Sequence, residues 1–163
     1  MGREPEALTE PSPAAQGTVA PHRILVAADG SDGAGRATRL AVRFLRGDRV
    51  EARVLTVLSF EMDPYTLLGE VTPETQERLE VVDRAVERAT EAPRRILEEA
   101  GHRVAVVHRF GNPADEILAD IDEWGPDLVV IGRRGLAAPS RWLLGSVSER
   151  VLRHGHVPVL VGP

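Results

Sequence analysis

The stretch Leu128-Val129-Val130-Ile131-Gly132-Arg133-Arg134-Gly135, followed after nine residues by Gly145-Ser146, decides how this chain is read. Leu128 to Ile131 is a short, wholly apolar run, the signature of a strand buried on both faces of a parallel sheet. Gly145-Ser146 opens a helix carried by Val147, Val151 and Leu152, with Ser146 and Glu149 at the spacing of a capping box. Glycine lets backbone amides approach a polyanion with no Cβ in the way. A helix N-terminus adds unsatisfied N–H groups and a positive partial charge. The amides of Gly145, Ser146, Val147 and Ser148, with the hydroxyls of Ser146 and Ser148, thus form a candidate phosphate cradle. The competing reading is a loop that only turns the chain. Against it stands position: the segment lies where open α/β sheets bind ligands, at the carboxyl ends of their strands.

Outward from this segment the pattern alternates strand and helix. Ile24 to Ala28 is a second continuous apolar run, followed by the turn Asp29-Gly30-Ser31. Ser31 is placed to cap a helix with Ala34, Ala37, Leu40, Ala41 and Phe44 inward and Gly47 as its stop. The second strand spans Val50 to Leu58. Thr72 and Pro73 open a long helix with Leu79, Val82, Val86, Ala89, Ile96 and Ala100 inward; Pro93 is expected to kink or restart it, and Gly101 to end it. The third strand covers Val104 to His108. Asn112-Pro113 starts a helix with Ile117, Leu118 and Ile121 inward, and the fifth strand covers Val157 to Val161. Such alternation predicts one doubly wound α/β domain over residues 22–163, with right-handed crossovers and helices on both faces. Residues 1–21, with Pro5, Pro11, Pro13 and Pro21 among small polar residues, read as a disordered tail.

Composition narrows the function. The chain has no cysteine, which rules out disulfides and thiolate metal sites. A net charge of -5 with interspersed signs, and 4% aromatic residues, argue against a nucleic-acid surface. No run is apolar and long enough to span a bilayer, and the start lacks signal-peptide character, so cytoplasm is the default. Neither Gly-Lys-Ser/Thr nor Gly-x-Gly-x-x-Gly after the first strand occurs.

The spacing Gly-x2-Gly-x9-Gly-Ser, with Ile24-Leu25-Val26-Ala27-Ala28-Asp29-Gly30-Ser31, Gly111-Asn112-Pro113 and Val157-Pro158-Val159-Leu160-Val161 in order, resembles the ATP-binding universal stress proteins. The resemblance covers Arg23 to Gly162. It implies a five-stranded sheet of order 3-2-1-4-5 and an adenine nucleotide, ATP or else AMP or cyclic AMP, with Mg2+. It places Ala27, Ala28 and Asp29, then Val57, then Ile131 and Gly132 against adenine and ribose, and Gly135, Gly145, Ser146, Val147 and Ser148 against the phosphates. Family members often carry proline and threonine where Ala27 and Ala28 stand, so one hydroxyl contact is missing here.

Other residues are weighed alone. Asp29 either contacts the nucleotide or a metal, or serves its turn. Arg133 and Arg134 either neutralise phosphate or sit solvated in the loop. The histidines lack metal-ligand spacing, and Trp124 and Trp142 read as packing residues. The function expected is a nucleotide-binding stress or regulatory protein with little turnover. A slow ATPase or phosphotransferase and a dimeric interaction module without ligand are the alternatives. The fifth strand, apolar, uncharged and at the sheet edge, is the expected homodimer joint.

Overall fold

A computed structural model describes residues 22–45, 50–59, 73–135 and 144–163. Strands β1 (His22–Ala27), β2 (Val50–Leu58), β3 (Arg103–Phe110), β4 (Leu128–Gly132) and β5 (Val159–Gly162) alternate with helices α1 (Asp32–Phe44), α2 (Pro73–Glu99), α3 (Pro113–Trp124) and α4 (Ser146–His154). All strand pairs are parallel and the order is β3-β2-β1-β4-β5, as expected. Central β1 pairs Ala27 with both Leu55 and Ile131.

Successive side chains of a strand point to opposite faces, and here each face has its own core. Ile24, Val26, Ala52, Val54 and Val130 pack with Ala34, Ala37 and Ala41 of α1 and Leu97 of α2. Leu25, Leu55, Val129 and Ile131 pack with Ile117 and Ile121 of α3 and Val151 of α4. Helices on both faces explain why Ile24 to Ala28 and Leu128 to Ile131 read as unbroken apolar runs. Removing each such side chain from water contributes on the order of 1.5–3 kcal/mol.

The helix starts follow capping chemistry. Ser31 accepts from Ala34 N at 3.4 Å, and Asn112 accepts from Ala114 N at 3.0 Å with Pro113 at the first helical position. Gly101 follows α2 with φ 84, a conformation suited to glycine.

Several local expectations need correction. Phe44, in the last turn of α1, is 73% exposed, and Leu152 is 49% exposed. Both lie at helix positions where the sheet offers no further cover. Ala100 is exposed, and the fully buried residue of that turn is Leu97. The helix α2 does not restart at Pro93. A proline removes one backbone bond, and Leu97, buried in the first core one turn later, holds the helix across the gap. The fifth strand begins at Val159 instead of Val157 because Pro158 has no N–H to pair; its carbonyl instead accepts from Val129 N at 2.9 Å. The expected tail, Gly47, Thr72 and Trp142 lie outside the described residues.

Candidate functional site

In this strand order β1 is flanked by β2 on one side and β4 on the other, so the direction in which successive strands are added to the sheet reverses between β1 and β4. The crevice above their carboxyl ends is a topological switch point. On the β1 side, Ala28 is 5% exposed and its N–H donates to Leu55 O at 2.9 Å. Asp29 then turns the chain: its Oδ1 accepts from Ser31 N at 3.0 Å. The carboxylate itself is exposed.

The β4 side closes on this turn backbone to backbone. A Cβ on Gly132 would lie 2.9 Å from Gly33 C and 3.0 Å from Ala34 N, inside the first turn of α1. A Cβ on Gly135 would collide with Asp29 Oδ2. The glycines are therefore required by close approach of one loop to the other, which sequence spacing alone suggested only in general terms. Gly33 belongs to the same contact, since its own Cβ would stand 3.1 Å from Arg134 O, and Gly162 seats β5 against Ala37. Neither was singled out from the sequence. The signal was there in Gly33 and Gly35 near the start of an otherwise alanine-rich helix.

From Arg133 the hydrogen bonds run in two directions. Its N–H donates to Gly162 O at 2.7 Å, and its carbonyl accepts from Gly145 N at 2.8 Å. The amide of Gly145 is thus spent within the fold, which corrects its expected place in the cradle. Gly145, not Ser146, is the N-cap of α4, and its carbonyl accepts the first helical bond from Glu149 N at 2.8 Å. The expected capping box is absent, and Glu149 pairs instead with Arg153 at 2.7 Å. The first-turn amides of Ser146, Val147 and Ser148 have no carbonyl to reach within the helix. The Ser148 side chain is 2% exposed and donates to Gly132 O at 2.8 Å, tying α4 to the end of β4. The Ser146 residue is exposed.

Ala27, Ala28, Asp29, Ile131, Gly132, Arg134, Gly135, Gly145, Ser146, Val147 and Ser148 thus lie at the carboxyl ends of β1 and β4, in the loops that follow them, or at the start of α4. Val57 stands two residues beyond Leu55 on β2, half-buried; with Ala27, Ile131 and Val147 it belongs to the second core. Of these four, Ala27 and Ile131 are buried and Val57 and Val147 half-buried. Among the described residues no group of three or more His, Asp or Glu side chains is placed to hold a metal ion.

A second polar cluster lies lower on the same face. Asp120, fully buried, accepts from Arg53 Nη1 at 3.0 Å and from Arg109 Nη2 at 2.9 Å. Arg109 also pairs with Glu123, and Arg53 stacks over Trp124 with its guanidinium carbon 4.3 Å from the ring centroid. The hydrogen bond from Arg109 draws the Glu123 carboxyl below its usual range, and the same bond holds the Arg109 guanidinium above its own. This cluster clamps α3 to β2 and β3. Ile117, Asp120 and Ile121 share one helical face, so the sequence carried the signal that Asp120 turns inward.

A parallel sheet of this order, with a glycine loop folded onto the β1–α1 turn and a helix N-terminus beside it, defines a class of small doubly wound α/β domains. The match to the Universal stress protein family extends over residues 21–163, and the chain belongs to that family. It is 30% identical over 152 residues to universal stress protein YxiE of Bacillus subtilis, covering 86% of this chain and 97% of that one. The solved structure of protein MJ0577 of Methanocaldococcus jannaschii superposes with a TM-score of 0.69 at 26% identity, covering 86% of this chain and 94% of that one. A family protein of Arabidopsis thaliana, solved with AMP bound, superposes with a TM-score of 0.61 at 20% identity, covering 86% and 90%.

Proposed function

We propose that this universal stress protein binds an adenine nucleotide, ATP first and AMP or cyclic AMP as alternatives, in the crevice between β1 and β4. The observation that carries the reading is the mutual approach of Gly132 and Gly135 to the β1–α1 turn, beside the first turn of α4. First-turn amides and the helix dipole suit phosphate oxygens. Ala27, Val57, Ile131 and Val147 are the apolar residues assigned to the base, and Ala28, Asp29, Gly132, Arg134, Gly135 and Ser146 those assigned to the polar side. Mg2+ carried on the nucleotide's own phosphates would offset their charge, and Asp29 is the exposed carboxylate assigned to contact it. The Arabidopsis relative holds AMP on this fold, and at its low identity that supports the fold alone; the case here rests on this chain's own residues.

Turnover is expected to be slow or absent. Phosphoryl transfer needs a group that positions the attacking water and dedicated magnesium ligands, and Asp29 alone does not supply both. The role is therefore regulatory, in a cytoplasmic domain over residues 22–163 that pairs through β5; no helix among the described residues is long and apolar enough to cross a membrane. Titration calorimetry with Mg-ATP tests the reading. Saturable binding is expected, lost in Gly135→Val, where the new side chain displaces the exposed Asp29 carboxylate and leaves both cores intact. Undiminished affinity in that variant refutes the placement. Phosphate release near 1 per second, typical of modest enzymes, that vanishes in Asp29→Ala, would instead establish the ATPase alternative.

A further inference from the structure

Away from the crevice, a cavity of about 290 Å³ opens between α1 and α2. Gly35, Ala89 and Ala92 give it a floor of small residues, while Arg36 and Arg39 of α1 and Arg88 of α2 stand around it. One carboxylate, Asp32, shares the lining with these three guanidiniums, in a chain whose net charge is -5. The excess of positive charge here runs against the balance of the whole molecule.

The arginines of this cleft differ from their neighbours. Along α2, Arg84 pairs with Glu80, Arg94 with Glu98 and Arg95 with Glu99, each one turn apart. Arg88 has Arg84 and Ala92 at those same offsets, and it forms no ion pair with Glu91, three residues further on. Arg39 has Gly35 and Arg43. Among the described residues, neither Arg39 nor Arg88 has a carboxylate within ion-pair reach. Arg36 donates from Nε to Pro163 O at 2.8 Å, which fixes the direction of its guanidinium. Like charges three and four residues apart on one helix repel, so Arg36, Arg39 and Arg43 oppose one another until an anion comes between them. The capped start of α1 at Ser31 borders the same cavity and adds its positive dipole end.

We propose that this cleft is a second anion site, shaped for a compact phosphate-bearing small molecule. Guanidinium forks bind phosphate oxygens in pairs. The volume sits at the small end of ligand cavities, about 300 Å³, which suits a phosphomonoester or a diphosphate group and not a polymer. Gly132, Gly135 and Gly145 do not line it. The two sites thus lie on either side of the β1–α1 turn, and this one stands whether or not the crevice binds nucleotide.

Inorganic pyrophosphate is the probe, titrated into the full chain by calorimetry at 0.1 M and at 1 M salt. Saturable binding is expected at low salt and a clear weakening at high salt, because the screening length falls from about 10 Å to about 3 Å. The double variant Arg39→Gln, Arg88→Gln should weaken pyrophosphate roughly tenfold or more, as two charge-assisted contacts are lost. Both side chains are exposed, and an unchanged unfolding midpoint will show the fold intact. Gly135→Val, which blocks the crevice, should still show saturable pyrophosphate binding at this cleft. The proposal is overturned if pyrophosphate does not bind at millimolar concentration, if the double glutamine variant binds it undiminished, or if Gly135→Val abolishes binding.

Discussion

Replacing Gly132 by alanine tests the contact on which the crevice depends. The new Cβ would stand 2.9 Å from Gly33 C and 3.0 Å from Ala34 N, where carbon atoms prefer about 3.5–4.0 Å. Both obstacles are backbone atoms in the first turn of α1, and neither can rotate aside. The strand and the helix must separate by roughly half an ångström or more, and overpacking of this kind costs about 1–3 kcal/mol. With a urea slope of about 1–3 kcal/mol per molar for a domain of this size, the unfolding midpoint should fall by roughly 1 M. Gly35→Ala provides the opposite sign. Its Cβ would meet only Ala92 Cβ and Arg39 Nη1, each at 3.9 Å, and alanine favours a helix interior over glycine by about 0.5–1 kcal/mol. Urea unfolding followed by circular dichroism should therefore show one variant below and the other above the parent. A Gly132→Ala midpoint equal to the parent's would refute the close-contact argument.

Four further outcomes follow from the same geometry. Ser148→Ala removes the buried bond to Gly132 O and leaves that carbonyl unsatisfied, so stability should drop by about 1–3 kcal/mol in urea unfolding. Asp120→Leu removes the buried partner shared by Arg53 and Arg109, while Arg109 keeps Glu123, and should destabilise by about 3 kcal/mol, near the lower bound for broken buried pairs because both arginines retain some solvent; thermal unfolding measures it. Glu123 has a lowered folded pKa, so its contribution is present above its ordinary value of 4.5 and fades as pH falls through the folded one. The stability gap between the parent and Glu123→Gln should accordingly close in acid unfolding scans. Val159→Lys, placing a charge on the half-buried outer strand, should shift the proposed dimer toward monomer in light scattering, whereas a parent chain that already scatters as a monomer removes that proposal.

The fold was largely legible because β1 and β4 carry continuous apolar runs and two of the helices begin at side-chain caps. Ser31 and Asn112 cap where their chemistry says they should. The β2 limits, Val50 and Leu58, are those read from the sequence. Legibility failed where a local rule met a tertiary one. Helical periodicity placed Phe44 inward, yet it exposes itself at the end of its helix. The Ser-x-x-Glu spacing at Ser146 suggested a cap, but the bond from Gly145 N to Arg133 O sets the helix start one residue earlier. At the site, spacing indicated which glycines matter but not what they approach. That Gly132 abuts Gly33, or Gly135 abuts Asp29, is a contact between segments about a hundred residues apart, which no local pattern encodes.

The two cores differ in grain, and that difference governs which substitutions the domain will accept. The α1 side rests on Ala34, Ala37, Ala41, Ala28 and Ala52, so helix and sheet lie close together there. Truncation has little to remove at such positions, while any added methylene has nowhere to go. The α3–α4 side is filled by Leu25, Leu55, Ile117, Ile121 and Ile131, where the reverse holds: shortening leaves a void costing about 2–5 kcal/mol, and swaps of equal volume are absorbed. A saturation mutagenesis map of this chain should therefore be lopsided across the sheet. At the alanines of the α1 side growth would be the hazard, whereas Ile24, Val26, Val54 and Leu97 of that core, like the leucines and isoleucines across the sheet, would be sensitive to shortening.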